Sequence, residues 1–270
     1  MSVEQSATIY VYYHKDMPVF IDSAGYVPVK VGNALHPTKM DFLVDDSFDS
    51  ISDKNLYYSE LTGIYWVWKN TKQEITGSCH YRRYFTTYPE IFKYRLKRLL
   101  YFFAGIYRKR YGLIYTRNIE YFSSKVLNQD QIKEIFQSYD VILPVKRKLK
   151  YSVKEHYRRY HDVNDLSIIE AILQEKYPEY LSSFHLVLNN KRLYANNMFV
   201  LPLSIYNEFM EWWFDVLFEF EKRIDLSHYS GYQQRIFGFM GERLLTVWFF
   251  NKNLKIKELP LIYFKYLKFE

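Results

Sequence analysis

The chain has 270 residues, 49% of them hydrophobic, with nine Gly and eight Pro. This length and composition predict one domain over residues 1–270 and exclude long disordered linkers. The formal net charge is +7, but outside one basic segment the chain is close to neutral, which argues against a nucleic-acid groove running across the protein.

Cys79 is the one cysteine of the chain. A single cysteine excludes an internal disulfide framework and a cysteine-based zinc site, which suits a reducing cytoplasm. Because Cys79 falls inside a predicted strand, we interpret it as a core residue rather than a nucleophile. No uninterrupted apolar run reaches about eighteen residues, so no transmembrane helix is predicted.

Hydrophobic runs and amphipathic helical patterns alternate along the chain. Runs rich in β-branched and aromatic residues predict strands at residues 8–13, 27–31, 75–79, 140–144, 196–201 and 256–259. Apolar residues at helical spacing predict helices at residues 58–69, 130–138, 166–176, 204–224 and 235–250. This alternation predicts an α/β fold with a mostly parallel sheet flanked by helices.

The segment before the first predicted helix, residues 45–55, is acidic and rich in turn-forming residues. It predicts a solvated loop. Asp45 and Asp46 form the adjacent acidic pair of this segment, and a metal site at the pair is the alternative. Ser59, near the start of the helix, is a candidate helix cap.

The most distinctive stretch directly follows the predicted strand at residues 75–79. It reads His80-Tyr81-Arg82-Arg83-Tyr84-Phe85. Ligands of α/β sheets bind beyond the carboxyl ends of strands. Arginine binds phosphate bidentately, and tyrosine stacks on a base or sugar while still offering a hydroxyl. The stretch therefore predicts a site for an anionic, ring-bearing ligand, with an ordinary surface patch as the alternative.

Five blocks of residues carry a resemblance to a known family. They are Asn55…Glu60-Leu61-Thr62…Tyr65-Trp66-Val67-Trp68-Lys69-Asn70, His80-Tyr81-Arg82-Arg83-Tyr84-Phe85, Asp140-Val141-Ile142-Leu143-Pro144, Asn197-Met198-Phe199 and Arg235…Gly238-Phe239-Met240-Gly241-Glu242-Arg243-Leu244. In this order they resemble a bacterial family of capsular and exopolysaccharide glycosyltransferases that was long filed as a domain of unknown function.

The resemblance implies a Rossmann-type, GT-A-like fold and transfer of a sugar from a nucleotide diphosphate donor. UDP-galactose and UDP-galactofuranose are the donors associated with relatives. A polysaccharide or lipid-linked oligosaccharide is the implied acceptor, in the assembly of surface polysaccharide. The expected location is the cytoplasm, at the inner face of the plasma membrane.

The departing diphosphate of such a reaction must be neutralised, and many GT-A enzymes use a metal held by an Asp-X-Asp motif. Here the corresponding strand end carries His80, Tyr81 and Arg82. We therefore predict that His80, with the charges of Arg82 and Arg83, replaces the metal and that no cofactor is required. Mn²⁺ or Mg²⁺ bound at Asp45 is the alternative.

An inverting transferase also needs a carboxylate base to deprotonate the acceptor hydroxyl. Glu242 is the predicted base, because a lone carboxylate in an otherwise apolar helix destabilises the folded state unless it is paired or has a functional role. A salt bridge to Arg235 or Arg243 is the alternative. Glu60, on the earlier helix, is assigned to orienting Arg82 or Lys69.

Further residues are assigned to the two substrates. The donor side comprises His14, Lys15, Val31, Gly32, Glu60, Tyr65, Lys69, Arg82 and Arg83. Gly32 would allow close approach of the backbone to the nucleotide. The acceptor side comprises His156, His161, Asn197 and Arg235. The two histidines are five residues apart, which is not the spacing of a helical metal pair, and a solvated face is their alternative.

An insertion at about residues 88–125 is basic and aromatic. Between residues 88 and 111 it carries seven basic residues against one acid, Glu90. An apolar stripe surrounded by Lys and Arg favours a helix that lies on an anionic membrane surface. A helix packed on its own domain or on a second subunit is the alternative.

Two other classes of function fit parts of the chain. Aromatic residues make up 20% of it, with 28 Tyr, which suits a non-catalytic carbohydrate-binding module. That function leaves Arg82, Arg83 and Glu242 unexplained. A nucleic-acid-binding protein would use the basic insertion but leaves the neutral remainder of the chain without a role.

Overall fold

The first strand, β1 (Ala7–Tyr13), is central to the sheet in the computed structural model, which describes residues 6–89 and 113–264. β1 pairs in parallel with β2 (Tyr26–Lys30) on one side and with β4 (Ile75–His80) on the other. Its β-branched and aromatic residues are almost all buried, as expected for a strand covered on both faces.

The remaining strands extend this sheet on both sides. Their bounds are β3 Leu43–Val44, β5 Arg83–Phe85, β6 Leu113–Thr116, β7 Val141–Pro144, β8 Arg147–Lys148, β9 Arg192–Leu193, β10 Phe199–Pro202, β11 Ile256–Leu259 and β12 Leu261–Phe264. Within the described residues, ten strands form the main sheet, along the path β11-β7-β10-β4-β1-β2-β3, and β8 pairs with β9 separately. β10 is antiparallel to both β4 and β7, whereas β11 is parallel to β7. The predicted α/β fold with a mostly parallel sheet is confirmed.

Helices cover both faces of the sheet. Their bounds are α1 Asn55–Tyr58, α2 Leu61–Asn70, α3 Ile119–Ser123, α4 Gln129–Phe136, α5 Val153–Tyr160, α6 Asn164–Lys176, α7 Leu181–Asn189, α8 Leu203–Arg223 and α9 Ile236–Asn251. Single 3-10 turns lie at Ser52–Lys54, Pro178–Tyr180, Leu226–His228 and Gly231–Arg235. No helix within residues 6–89 and 113–264 is long and apolar enough to cross a membrane.

Two apolar cores lie on opposite faces of the sheet, as the alternation of β1 requires. Tyr10 and Tyr12 belong to one core, and Ile9, Val11 and Tyr13 belong to the other. The larger core is strongly aromatic, and it joins α8 to α9 through tilted and edge-on ring contacts. Much of the aromatic content therefore serves packing rather than ligand recognition.

Cys79 is fully buried in β4, and burial raises the pKa of its thiol to about 12. A thiol with this pKa is protonated at neutral pH and is a poor nucleophile. The interpretation of Cys79 as a core residue is confirmed.

Two predicted elements differ from the structure in ways that shape the site. The helix predicted at residues 58–69 is broken at Ser59 and Glu60, and the Ser59 side chain caps neither α1 nor α2. The strand predicted at residues 196–201 begins only at Phe199, because Asn196 and Asn197 both have positive φ.

The insertion is partly built into the sheet. β6 pairs in parallel with β12, so residues 113–116 belong to the main fold rather than to an appended helix. The apolar stripe and the basic residues predicted to contact a membrane lie at residues 90–112, outside the described residues. Their membrane contact stays a prediction.

Candidate active site

The carboxyl ends of β1, β2 and β4 meet at one edge of the sheet because the three strands are parallel. Here Lys30, the last residue of β2, donates from Nζ to the His14 carbonyl at 3.0 Å. The His14 ring contacts the Tyr81 ring edge-on, with centroids 5.1 Å apart. His14, which follows β1, and Tyr81, which follows β4, are thus in contact.

Positive charge accumulates at this edge. Lys15, Arg82, Arg235 and Lys30 all lower the pKa of His14, after the larger effect of lost solvation, to about 4. His14 is therefore neutral at pH 7 and lies among groups that remain charged. We call Lys15, Lys30, Arg82 and Arg235 the cationic edge.

Arg82 and Arg83 are held by aromatic rings. The Arg82 guanidinium lies 4.8 Å from the centroid of Tyr81 and 5.5 Å from that of Tyr263, and Arg83 lies 5.1 Å from Tyr263. A guanidinium stacked through its flat face keeps its N–H edges free to bind an anion bidentately. Tyr263 lies in β12, far along the chain from the motif.

A buried carboxylate occupies the break between α1 and α2. Glu60 Oε1 accepts from Asn197 Nδ2 at 2.9 Å and lies 4.0 Å from His80 Nε2, while Oε2 lies 3.4 Å from an Arg235 guanidinium nitrogen. Arg235 Nε also donates to Ser59 Oγ at 2.9 Å. We call Ser59, Glu60, His80, Asn197 and Arg235 the Glu60 cluster.

The charge of Glu60 is set by these neighbours. Burial alone would raise the pKa of Glu60, but His80, Arg235 and the Asn197 amide hold it below its usual value. Glu60 is therefore ionised at neutral pH. Its contact with Arg235, rather than with Arg82 or Lys69, corrects the orienting role predicted from the sequence.

A two-residue turn connects the Glu60 cluster to Glu242. Asn196 and Asn197 have φ of 78° and 50°, a left-handed conformation that asparagine tolerates better than most residues. In this turn the Asn196 carbonyl accepts from His80 Nε2 at 2.7 Å. The Asn196 amide donates to Glu242 Oε1 at 2.7 Å. One turn thus positions His80 and both carboxylates.

His80 contributes a hydrogen bond rather than a charge. Burial lowers the pKa of His80 below its usual range, and the opposing effect of Glu60 does not restore it. Because a carbonyl can only accept, His80 Nε2 carries the proton and donates to Asn196. Positive charge here therefore comes from Lys and Arg, and the role of His80 in replacing a metal stays a prediction.

Glu242 lies on α9 at the edge of the core, with 21% of its side chain exposed. Its Oε2 lies 3.4 Å from Arg243 Nη1, and the Arg243 guanidinium also donates to the Phe239 carbonyl at 2.6 Å. Of the two alternative partners named from the sequence, Arg243 is the one observed, and Arg235 instead contacts Glu60. One carboxylate is thus both paired and partly accessible.

The histidines predicted for the acceptor lie on α5 and directly after it. The His161 ring packs between Tyr157 and Phe239, with centroids 4.6 and 4.4 Å away, and Nδ1 donates to Gln233 Oε1 at 2.6 Å. Burial, with Arg243 adding to it, lowers the pKa of His156 to about 4, and burial also lowers that of His161 to about 4. Both rings are neutral at pH 7.

Asn197 and Arg235, also predicted for the acceptor, differ in accessibility. Asn197 is 1% exposed and its amide donates to Glu60, so it supports the site from beneath and is closed to an acceptor. The Arg235 side chain is 45% exposed. Only Arg235 of this pair is open to a ligand.

Three residues predicted for the donor side point elsewhere in the structure. Tyr65 donates to Asp49 Oδ1 at 2.9 Å within the aromatic core, and Lys69 lies 3.7 Å from the Trp68 ring centroid. Both lie on α2 beyond the Glu60 break. The Val31 side chain is buried, so only its backbone can line a ligand. These side chains do not join the site.

Asp45 is fully buried, which corrects the predicted solvated loop. Its carboxylate accepts from the backbone amides of Gly32 and Asn33 at 2.9 and 3.0 Å, and from the hydroxyls of Ser52 and Thr62. Both oxygens are occupied by donors that fix the loop after β2, where Gly32 has φ of +67°. Within the described part of the chain, no three His, Cys, Asp or Glu side chains are grouped to hold a metal.

The family described as a domain of unknown function, DUF4422, matches residues 8–253. The chain belongs to this family. The resemblance to a family formerly of unknown function is thus confirmed, and no curated protein matches the chain.

A solved structure, the WbbM bifunctional glycosyltransferase in its apo form, has the same fold as the DUF4422 chain. The two share 28% sequence identity with a TM-score of 0.81. The match covers 97% of this chain but 46% of the other, so the chain spans about half the length of that protein.

Sequence reasoning missed three contributors to the site in the DUF4422 chain. Lys30 is 3% exposed. Its position at the end of an apolar strand, just before Gly32, is the sequence feature that could have indicated its role in the site. Asn196 acts mainly through its backbone, for which an Asn-Asn pair before a hydrophobic run is a weak indicator. Tyr263 stands in an ordinary aromatic strand, and nothing in the sequence marks it.

Proposed function

We propose that the protein is a hexosyltransferase that moves a sugar from a nucleotide diphosphate donor, UDP-galactose or UDP-galactofuranose, to a polysaccharide or lipid-linked oligosaccharide acceptor in surface polysaccharide synthesis. One observation carries the proposal: the cationic edge and two carboxylates, Glu60 and Glu242, meet at the carboxyl ends of parallel strands. The fold shared with a glycosyltransferase supports it.

The donor diphosphate is assigned to the cationic edge. Arg82 and Arg83, stacked on Tyr263, present N–H edges suited to phosphate oxygens. His14 is neutral and can accept or donate one hydrogen bond to the base or ribose without adding charge. Fixed cations at the leaving group stabilise the charge that develops as the sugar–phosphate bond breaks, so no metal is required.

The acceptor hydroxyl is assigned to Glu242, acting as base in an inverting displacement. The Asn196 amide holds Oε1, which fixes the carboxylate while part of the side chain stays exposed. Glu60 is a positioning residue: its ion pair with Arg235 fixes a cation between the two substrates. The basic residues 88–111 would bring the enzyme to a membrane that displays a lipid-linked acceptor.

Calorimetric titration with UDP and UDP-galactose, first with Mn²⁺ and then with EDTA, tests the donor site. Arg82→Ala is the test variant, and Arg192→Ala, an exposed arginine on the small β8–β9 sheet, is the matched control. We expect binding to persist in EDTA. It should weaken at least tenfold (about 1.4 kcal/mol) in Arg82→Ala and stay unchanged in Arg192→Ala.

Other outcomes discriminate between the parts of the proposal. Binding seen only with Mn²⁺ would contradict the metal-free diphosphate site. If both variants bind as tightly as the parent protein, the donor phosphates do not bind at Arg82. No binding of UDP or UDP-galactose under either condition would rule out a UDP-sugar donor.

A further inference from the structure

A polar groove opens beside His161, the residue that follows α5. It lies between the α5–α6 region and the stretch from the end of α8 to the 3-10 turn Gly231–Arg235, with a volume of about 490 Å³. This volume falls within the range of roughly 300–1,000 Å³ typical of small-molecule sites. The groove is therefore large enough for a ligand of several rings.

The arginines that line the groove are neutralised by their own partners. Arg158 and Arg159 both pair with Glu155, at 2.8 and 2.7 Å, and Arg223 pairs with Glu175 at 2.6 Å and with Glu219 at 2.8 Å. An arginine already engaged with carboxylates has less charge to offer an incoming phosphate.

Three aspartates add negative charge to the groove. Asp162, Asp165 and Asp225 line it together with the three arginines. Asp165 is buried and accepts from two tyrosine hydroxyls, so it is part of the wall. Because the arginines already have Glu155, Glu175 and Glu219 as partners, the aspartates add negative charge, which favours a neutral ligand with hydroxyl donors over a phosphorylated one.

Two exposed side chains offer the contacts that a sugar requires. The Tyr160 ring is 59% exposed at the end of α5, and a tyrosine face packs against the C–H face of a pyranose. The Asn164 amide is exposed at the start of α6, where it can both donate to and accept from hydroxyls.

The groove leads through a short series of contacts to Arg235 and to Phe239, which precedes Glu242 by about one turn on the same face of α9. Gln233 and His161 line it and are hydrogen-bonded to each other. The His161 ring packs on Phe239, and the Arg235 guanidinium lies 5.9 Å from the same ring. A chain bound in the groove would end beside Arg235 and Glu242.

We propose that this groove binds the distal sugars of a neutral oligosaccharide acceptor, with Tyr160 and Asn164 as specificity-determining contacts. The inference rests on the proposed transferase function, because it places the growing end of the acceptor at Glu242. It adds a second site, separate from the cationic edge, that senses the length of the acceptor chain.

Binding to an array of bacterial oligosaccharides of two to eight sugars, neutral and phosphorylated, tests the groove. The variants are Tyr160→Ala and Asn164→Ala, both at exposed positions, and the control is Lys154→Ala on the exposed face of α5. We expect neutral chains of four or more sugars to bind. The two groove variants should lose about tenfold in affinity, and Lys154→Ala should match the parent protein.

Three outcomes would overturn the groove assignment. They are binding restricted to phosphorylated chains, unchanged binding in both groove variants, and no binding to any array member. UDP titration of the same preparations separates this failure from that of the transferase. UDP binding without oligosaccharide binding contradicts the groove alone. Oligosaccharide binding in the groove without nucleotide binding contradicts the transferase and leaves a carbohydrate-binding module.

Discussion

Single residues with positive φ hold the site together. Ser59, Asn196 and Asn197 each have φ between 50° and 78°. Non-glycine residues in this region are strained unless the surroundings hold them, and such strain collects at functional sites. Here the contacts that hold them are the hydrogen bond from Arg235 to the Ser59 hydroxyl and the hydrogen bond from the Asn197 amide to Glu60. The strained backbone and the charges of the Glu60 cluster thus depend on each other.

Glu242→Gln tests the proposed base at the same scale. The glutamine carbonyl can still accept from the Asn196 amide, so the turn should keep its conformation. We expect kcat to fall by about 10²–10⁴ because general-base catalysis contributes this much. The affinity for UDP, measured by calorimetry, should not change.

The comparison variant is Glu60→Gln, which breaks the ion pair to Arg235. It should weaken donor binding and kcat together, since a positioning residue affects both. If Glu60→Gln removes activity with donor binding intact while Glu242→Gln stays active, the roles of the two carboxylates are reversed.

Elements pack closely enough around the site that one glycine is required in α2. A Cβ at Gly63 would lie 2.5 Å from Val31 Cγ1 and 2.8 Å from Tyr12 Cδ1. Val31 and Tyr12 are buried residues of the sheet core. Gly63 therefore sets how closely α2, and with it Glu60, approaches the ends of β1 and β2.

Gly63→Ala should destabilise the protein. Overpacking costs ~1–3 kcal/mol, and the better helix propensity of alanine returns up to ~1 kcal/mol. We expect the free energy of unfolding in urea to fall by about 1–2 kcal/mol. The matched control is Gly238→Ala in α9, where the nearest atom to an added Cβ is 3.6 Å away. Equal stability of the two variants would contradict the packing argument.

Elements with strong periodicity were predictable, whereas features that depend on tertiary contacts were not. β1, β4, α8, α9 and β11 lie within two residues of their predicted bounds, because their apolar patterns decide which face is buried. The break at Ser59 escaped prediction since a tertiary contact with Arg235 stabilises it. The burial of Asp45 escaped prediction because its donors come from three separate segments of the chain, at residues 32–33, Ser52 and Thr62. The direction of β10 depends on its partners, and local sequence does not encode it.

The site was predictable where one motif carries it. His80 and Arg82 stand out because charge follows a buried strand, whereas Asn196 and Tyr263 act through backbone or stacking contacts made by the fold. Tyr65 and Lys69 belong to the same block of the family resemblance as Glu60, but they do not join the site. The break before α2 and the rotation of the helix carry them away from it.

The whole molecule should lose stability in mild acid. His80, His156 and His161 have pKa values lowered by burial, so the folded state keeps them neutral. Below pH 6.5 the unfolded chain takes up protons that the folded chain refuses until about pH 4, so the free energy of unfolding falls across this range. Glu60, whose pKa is also lowered, adds to the loss as pH falls further.

Urea unfolding at pH 7.5, 6.0 and 5.0 measures this effect. We expect the free energy of unfolding to decrease at each step, and His156→Asn should make the decrease smaller. His185→Asn is the control, since that histidine is exposed and pairs with Glu170 on the surface. Stability that is constant from pH 7.5 to 5.0 would show that the three histidines are not held neutral.

The Asp45 network has a consequence for motion. The Asp45 side chain joins the loop after β2 to Ser52 and to Thr62 of α2, so the loop cannot open without breaking these buried hydrogen bonds. Surface loops are commonly the first segments to fluctuate, but this one should move with the sheet and α2 as one body. A nucleotide that binds against it meets an ordered surface, and its binding should require little loss of conformational entropy.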